Sequence, residues 1–131
     1  MYTFLDEYRD CIRPRIREID TFLRLRDEFC VACVAQILSV CEEEVVQIME
    51  ILGLEKIDRQ NFMSIMQRGS SRICQLYARE LNVKSPPTYT SEDIAYIYNL
   101  DLQAVKDAYQ ILKINEVTSF TMPLVFGKIE Y

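Results

Sequence analysis

Apolar positions along this chain recur at helical spacing, and one long stretch of the pattern occurs twice. Between Thr3 and Arg26, Leu5, Tyr8, Ile12, Ile16, Ile19 and Leu23 stand three or four residues apart with Asp, Glu and Arg between them. That is the period of an amphipathic helix. Pro14 lacks a backbone donor, so a kink or a break into two helices is expected there. Phe29 to Ile57 is then matched by Tyr89 to Val117, sixty positions later and without a gap. The matched pairs are Phe29 and Tyr89, Val34 and Ile94, Ala35 and Ala95, Ile37 and Ile97, Val40 and Leu100, Val45 and Val105. They continue with Ile51 and Ile111, Leu52 and Leu112, Leu54 and Ile114, and Ile57 and Val117. Matched positions are apolar and unmatched ones mostly polar, which predicts a repeated buried face.

Local signals divide the chain further. The first copy predicts helices over 31–38 and 42–52 around a turn at Ser39 to Cys41, with Gly53 suited to the left-handed position that ends a helix. Asp58 is placed to cap a helix running to about Gln67, closed by Gly69. Ser70 or Ser71 then caps a helix carrying Ile73, Leu76, Tyr77 and Leu81 on one face. Val83 to Thr88 holds two adjacent prolines and is the clear linker. Thr90 and Asp93 form a capping box that opens the second copy, with helices over 91–98 and 102–112. Thr118 to Ile129 is β-branched and aromatic with Pro123 and Gly127 inside it, which predicts an extended tail.

The expected fold is all-α: an N-terminal helix (1–28), a first helix pair (29–57), basic middle helices (58–84), a second pair (89–117) and an extended tail (118–131), together one compact domain. Residues 1–28 pack on the chain's own core or supply a self-association contact through the N-terminal helix.

Both copies resemble the helix-turn-helix unit of transcription regulators. The resemblance rests on a small residue where the second helix crosses the first (Ala35, Ala95), an apolar residue before it (Val34, Ile94) and one ending that helix (Leu38, Tyr98). An apolar residue also closes the turn (Val40, Leu100), and another in the second helix locks the crossing (Val45, Val105). It covers about 20 residues in each copy. The turn position usually held by glycine is Ser39 in one copy and Asn99 in the other, so the serine turn is expected to be distorted. Helix pairs of this shape also serve proteins that never touch DNA.

Charge bears on that choice. The chain has fifteen Lys and Arg against twenty Asp and Glu, but residues 58–88 carry five bases and two acids and form the only net-positive segment. The exposed side of the first copy's second helix would offer Glu42, Glu43, Glu44 and Glu50, which repel phosphate. Acids in its first turn are accounted for by the helix dipole. The second copy offers Gln103, Lys106 and Gln110, offset by Asp101 and Asp107. Gln67 to Arg72 sets a glycine, Ser70, Ser71 and the arginines 68 and 72 at a helix N-terminus able to hold a phosphate or carboxylate. The candidate nucleic-acid or anion contacts are therefore Arg68, Ser70, Ser71, Arg72, Arg79, Gln103, Lys106 and Gln110.

Catalytic chemistry is poorly provided. There is no histidine, and the three glycines (Gly53, Gly69 and Gly127) make no phosphate loop, so neither an enzyme nor a cofactor is expected. Cys30-x-x-Cys33, with Cys41 and Cys74, is the one motif with a zinc or redox alternative. The second pair of a zinc signature is missing and Cys33 fits an apolar helix face, so no metal is expected. Five cysteines without framework spacing suit reduced thiols in the cytoplasm. No apolar run nears the roughly 18 residues of a membrane span, and the start of the chain lacks the basic-then-apolar order of a signal peptide. Tyr89 and Tyr98 sit at apolar positions and are expected in the core; Tyr96 and Tyr109 are unmatched, and suit either the core or a partly covered surface that could meet a protein. Two functions follow: a non-enzymatic DNA-binding regulator, or a protein-interaction module that keeps the helix pairs as scaffold and uses the acidic first unit and the N-terminal helix as its contact surfaces.

Overall fold

The computed structural model describes residues 2–84 and 87–131, so Ser85 and Pro86 of the expected linker lie outside the described residues. The chain is all-α. Its helices are α1 (Phe4–Glu7), continued by a π-helical turn (Tyr8–Ile12), α2 (Arg13–Leu25), α3 (Val31–Leu38), α4 (Glu42–Leu52), α5 (Arg59–Arg68), α6 (Arg72–Asn82), α7 (Ser91–Tyr98), α8 (Leu102–Leu112) and α9 (Met122–Phe126). Two short strands, β1 (Glu28–Phe29) and β2 (Ile57–Asp58), pair antiparallel. Contacts group the chain into two compact units, residues 15–78 and residues 1–14 with 79–131, so the boundaries fall inside α2 and α6.

In the unit of residues 15–78, α3 starts at Cys30, whose sulfur accepts the Cys33 N–H, and ends at Ser39 in the left-handed conformation (φ 60°, ψ 42°). The chain turns there, and Val40 N–H donates to Ala35 O at 3.0 Å. Helix α4 follows and stops at Gly53, again left-handed at φ 67°. Val34, Leu38, Val45, Phe62 and Ile65 are fully buried where these helices meet α5, with Phe22, Phe29 and Phe62 in ring contact at 4.7–6.1 Å. Asp58 caps α5 by accepting the Asn61 N–H at 2.8 Å. Gly69 leaves room for Cys74: a Cβ on it would lie 2.4 Å from the Cys74 sulfur.

The other unit repeats this plan. Thr90 and Asp93 form a reciprocal capping box at the start of α7, and Asn99 ends it at φ 54°, ψ 51°. Leu100 N–H donates to Ala95 O at 2.9 Å, as Val40 does to Ala35. Tyr89 bridges Val117 just as Phe29 pairs with Ile57, and the buried Tyr109 hydroxyl donates to Tyr89 O at 2.9 Å. Phe4, Tyr98 and Phe126 stack edge to face at 4.8–5.8 Å and close this core. Phe4 is held there by its N–H to Ile129 O at 2.8 Å.

Equivalent side chains thus meet equivalent surroundings. Ala35 and Ala95 are 4% and 8% exposed, while Val34, Ile94, Val45 and Val105 are fully buried. The repeat also runs past Ile57 and Val117. Phe62, Ile65 and Met66 of α5 correspond to Met122, Val125 and Phe126 of α9, all buried. Asp58 and Thr118 each accept the N–H three residues on, from Asn61 and Thr121.

Several expectations are corrected. The tail is not an extended strand: residues 122–126 are helical, since Pro123 stands in the first turn, where its missing N–H costs nothing, and Met122, Val125 and Phe126 share one face. Ser39 does not distort its turn; its hydroxyl accepts from Arg15 Nη2 at 2.6 Å and the geometry matches that at Asn99. Ile51 and Ile111 are not part of the buried face; both are exposed, by 71% and 62%, on the outer side of α4 and α8. Of the kink or break expected at Pro14, the break is not seen: a π turn precedes Arg13, whose N–H reaches back to Tyr8 O, and α2 runs on through Pro14. Ile12 and Ile19 are buried along the N-terminal stripe, whereas Ile16 is exposed.

Candidate functional site

The expected contact residues divide between the two units. Arg68, Ser70, Ser71 and Arg72 lie in residues 15–78; Arg79, Gln103, Lys106 and Gln110 lie in the other unit. Arg68 and Arg72 are exposed at the two sides of the α5–α6 turn. The Ser70 donors between them are already engaged. Its N–H and its hydroxyl both donate to the carboxylate of Glu44, at 3.0 and 2.6 Å. Glu44 belongs to the first turn of α4, so the anion this loop holds is one of the chain's own carboxylates. Ser71 accepts the Cys74 N–H at 3.4 Å and caps α6.

Arg79 is also committed within its unit. Its Nε donates to Ile97 O at 2.8 Å, in the last turn of α7, where backbone carbonyls lack intrahelical donors. Arg15 plays the same part in the first copy, its guanidinium reaching Ile37 O. Ile37 and Ile97 are equivalent residues, yet the two arginines are not separated by the repeat offset; different helix positions supply the same cap. On α8, Gln103 donates to Asp107 at 2.9 Å and Lys106 pairs with Glu92 at 3.8 Å, while Gln110 is exposed. Lys106 and Gln110 line an open groove with Ser91, Tyr109, Lys113, Ile114 and Asn115.

The sequence marks the acidic first unit as a contact surface under the protein-interaction reading, although the helix dipole alone accounts for Glu42 to Glu44. In the structure Val31, Glu42, Glu43, Val46, Gln47 and Glu50 line a shallow groove without a basic residue. Val46, one of the lining residues, is 41% exposed. Three of the four α4 carboxylates, Glu42, Glu43 and Glu50, are exposed, and Glu44 is drawn off to Ser70.

The expected core tyrosines 89 and 98 are buried, and so is Tyr109; Tyr96 is exposed and its hydroxyl accepts from Asn82 at 2.9 Å. Burial and a hydrogen bond to Glu80 push the Tyr89 phenol up to about 12. Among the described residues, no group of three or more Cys, Asp or Glu is arranged to hold a metal ion, and no helix is long and apolar enough to cross a membrane. Compared with protein-family models, with curated proteins and with solved structures, the chain matches none.

Proposed function

We propose that this chain is a non-enzymatic protein-interaction module of the helix-turn-helix type, in which the helix pairs are scaffold and the outer face of α4 is the contact surface. The partner that suits this face is a basic, amphipathic helical segment. Support comes chiefly from one observation: the helix that would read a DNA groove in the first copy carries exposed Glu42, Glu43 and Glu50 around an exposed valine, with no base among the residues lining its groove. Such a surface repels phosphate and attracts lysine or arginine, while Val31 and Val46 offer the apolar contact that a helix in a groove needs. The engagement of Ser70 by Glu44, and of Arg79 by Ile97 O, further reduces what the expected cation set can offer a polyanion.

A second reading has its own support. The α8 groove, with Lys106, Gln110, Lys113, Ser91 and Asn115, has the donors a weak DNA contact requires. One pair of titrations distinguishes the two. A fluorescent lysine- and leucine-rich helical peptide, followed by anisotropy, is expected to bind with an affinity that falls with salt and is lost in Glu43→Lys and Glu50→Lys. Random duplex DNA is expected not to bind even at low salt. A flat peptide titration sinks the α4 reading. Salt-dependent DNA binding weakened by Lys106→Ala and Lys113→Ala would favour the regulator instead.

A further inference from the structure

The repeat shows what is unusual about Cys30 and Cys33. They occupy the positions that Thr90 and Asp93 hold in the second copy, where two oxygen side chains make the capping box of α7. In the first copy two thiols stand in their place, although sulfur is a weaker acceptor than either oxygen. The Cys30 sulfur accepts the Cys33 N–H at 3.3 Å, and the two sulfurs are 2.6 Å apart. Both residues are exposed. Beside them lies a cleft walled by Phe22, Leu25, Arg26 and Phe29.

This surrounding differentiates the pair. The hydrogen bond from the Cys33 thiol, its backbone N–H and the positive charge of Arg26 all hold the Cys30 thiol below its ordinary range. The Cys33 thiol is pushed the other way, first by the hydrogen bond it gives to Cys30 and then by a partial loss of water around it. One sulfur is thus prepared to be a thiolate and its neighbour to remain a thiol within reach of it. The chain's other thiols lack this arrangement. Cys74 is buried, Cys11 lies in the other unit, and Cys41 is the exposed first-unit thiol outside the pair.

We propose that Cys30 and Cys33 form a reversible dithiol–disulfide couple that exchanges with the disulfides of small cellular thiols, Cys30 attacking and Cys33 resolving. In the first step the Cys30 thiolate attacks one sulfur of the small disulfide. A mixed disulfide forms on Cys30, and the other half leaves as a thiolate that takes up a proton. In the second step Cys33 gives its proton to solvent and attacks the Cys30 sulfur, closing the Cys30–Cys33 bond and expelling the second small thiol. The protein loses two hydrogens, the small disulfide gains them, and excess reduced thiol drives both steps backward. The cleft of Phe22, Leu25 and Phe29 is where the attacked molecule would rest, with Arg26 to receive a carboxylate.

The test uses the full wild-type chain and glutathione. The reduced protein is equilibrated with mixtures of reduced and oxidised glutathione, quenched with acid, alkylated and mapped by peptide mass. The expected result is a Cys30–Cys33 disulfide whose population follows the glutathione ratio, with no stable adduct on either residue. Cys33→Ser should accumulate one glutathione on Cys30. Before any oxidant is added, Cys30 should alkylate at neutral pH at least about tenfold faster than Cys41. Equal alkylation rates at Cys30 and Cys41 would overturn the proposal, as would a stable glutathione adduct on Cys30 of the wild-type chain. Because wild-type peptides carry the main readout, a variant that failed to fold would not obscure it.

Discussion

Replacing Arg79 by methionine separates a structural role from a nucleic-acid role, because the two predict opposite results. Methionine keeps an unbranched apolar stem and removes the guanidinium. In the folded chain Arg79 Nε donates to Ile97 O at 2.8 Å in a partly buried setting. A hydrogen bond made by a charged group contributes about 1.5–3 kcal/mol net, and a cation at a helix C-terminus about 0.3–1 kcal/mol. The two overlap here, and partial exposure weakens both, so a loss of about 2 kcal/mol is expected for Arg79→Met. With a urea slope of about 2 kcal/mol per molar, the unfolding midpoint should fall by about 1 M. Arg15→Met should behave alike, since Arg15 reaches Ile37 O and the Ser39 hydroxyl in the first copy. Lys106→Ala is the control: Lys106 is exposed and its pairing with Glu92 at 3.8 Å is loose, so stability should change by less than about 0.5 kcal/mol. Urea titration followed by circular dichroism measures all three. An Arg79→Met midpoint equal to that of the wild type, together with weakened duplex binding, would refute the capping assignment.

Three further outcomes follow from the same structure. Gly69→Ala should cost at least about 2 kcal/mol, because its Cβ would meet the Cys74 sulfur at 2.4 Å; adding Cys74→Ala should recover part of the loss, and a strictly additive double variant would contradict that contact. Gly53→Ala should cost about 1 kcal/mol from backbone strain alone, since nothing lies within 4 Å of the added atom, and Lys113→Gly at the equivalent left-handed residue should gain about 0.5 kcal/mol; both are read from urea midpoints. The Tyr89 phenol, raised in the folded chain from 10.0 to about 12, favours folding fully below pH 10 and loses that contribution as pH rises through 12, so Tyr89→Phe should flatten the alkaline limb of the stability profile.

Much of the architecture was legible because local rules and the repeat agreed. The limits of α3, α4, α7 and α8 followed from a helix period bounded by turn residues at the left-handed conformation, with good oxygen caps only at α7 and α8. Helix α9 was missed because β-branched composition outweighed the three-and-four spacing of Met122, Val125 and Phe126. The candidate contacts were harder to read, for a different reason. Ser70 and its acceptor Glu44 are 26 residues apart, and Arg79 and Ile97 are 18 apart. No local pattern tells an arginine that caps a distant carbonyl from one that faces solvent. Cys30-x-x-Cys33 was legible as a motif with a redox alternative, but the matched apolar positions do not show that the two cysteines stand where the second copy has its capping pair; the caps do.

That equivalence leads to the strictest test of the repeat. If the copies share one packing plan, the capping oxygens of the second should work in the first without any other change. Cys30→Thr with Cys33→Asp installs the second copy's box at the start of α3, where both positions are exposed and bear no core load. Oxygen acceptors cap better than sulfur, and a good N-cap is worth about 0.5–2 kcal/mol over a poor one, so the double variant should be at least as stable as the wild type. It should bind the basic helical peptide unchanged, because the α4 face is untouched, and it should no longer form a disulfide under oxidised glutathione. A destabilised variant would mean that the thiols pack in a way the oxygens cannot reproduce, and the two copies would then differ at the residue where α3 begins. A stable one would leave thiol chemistry, rather than folding, as the reason the first copy carries cysteines where the second has threonine and aspartate.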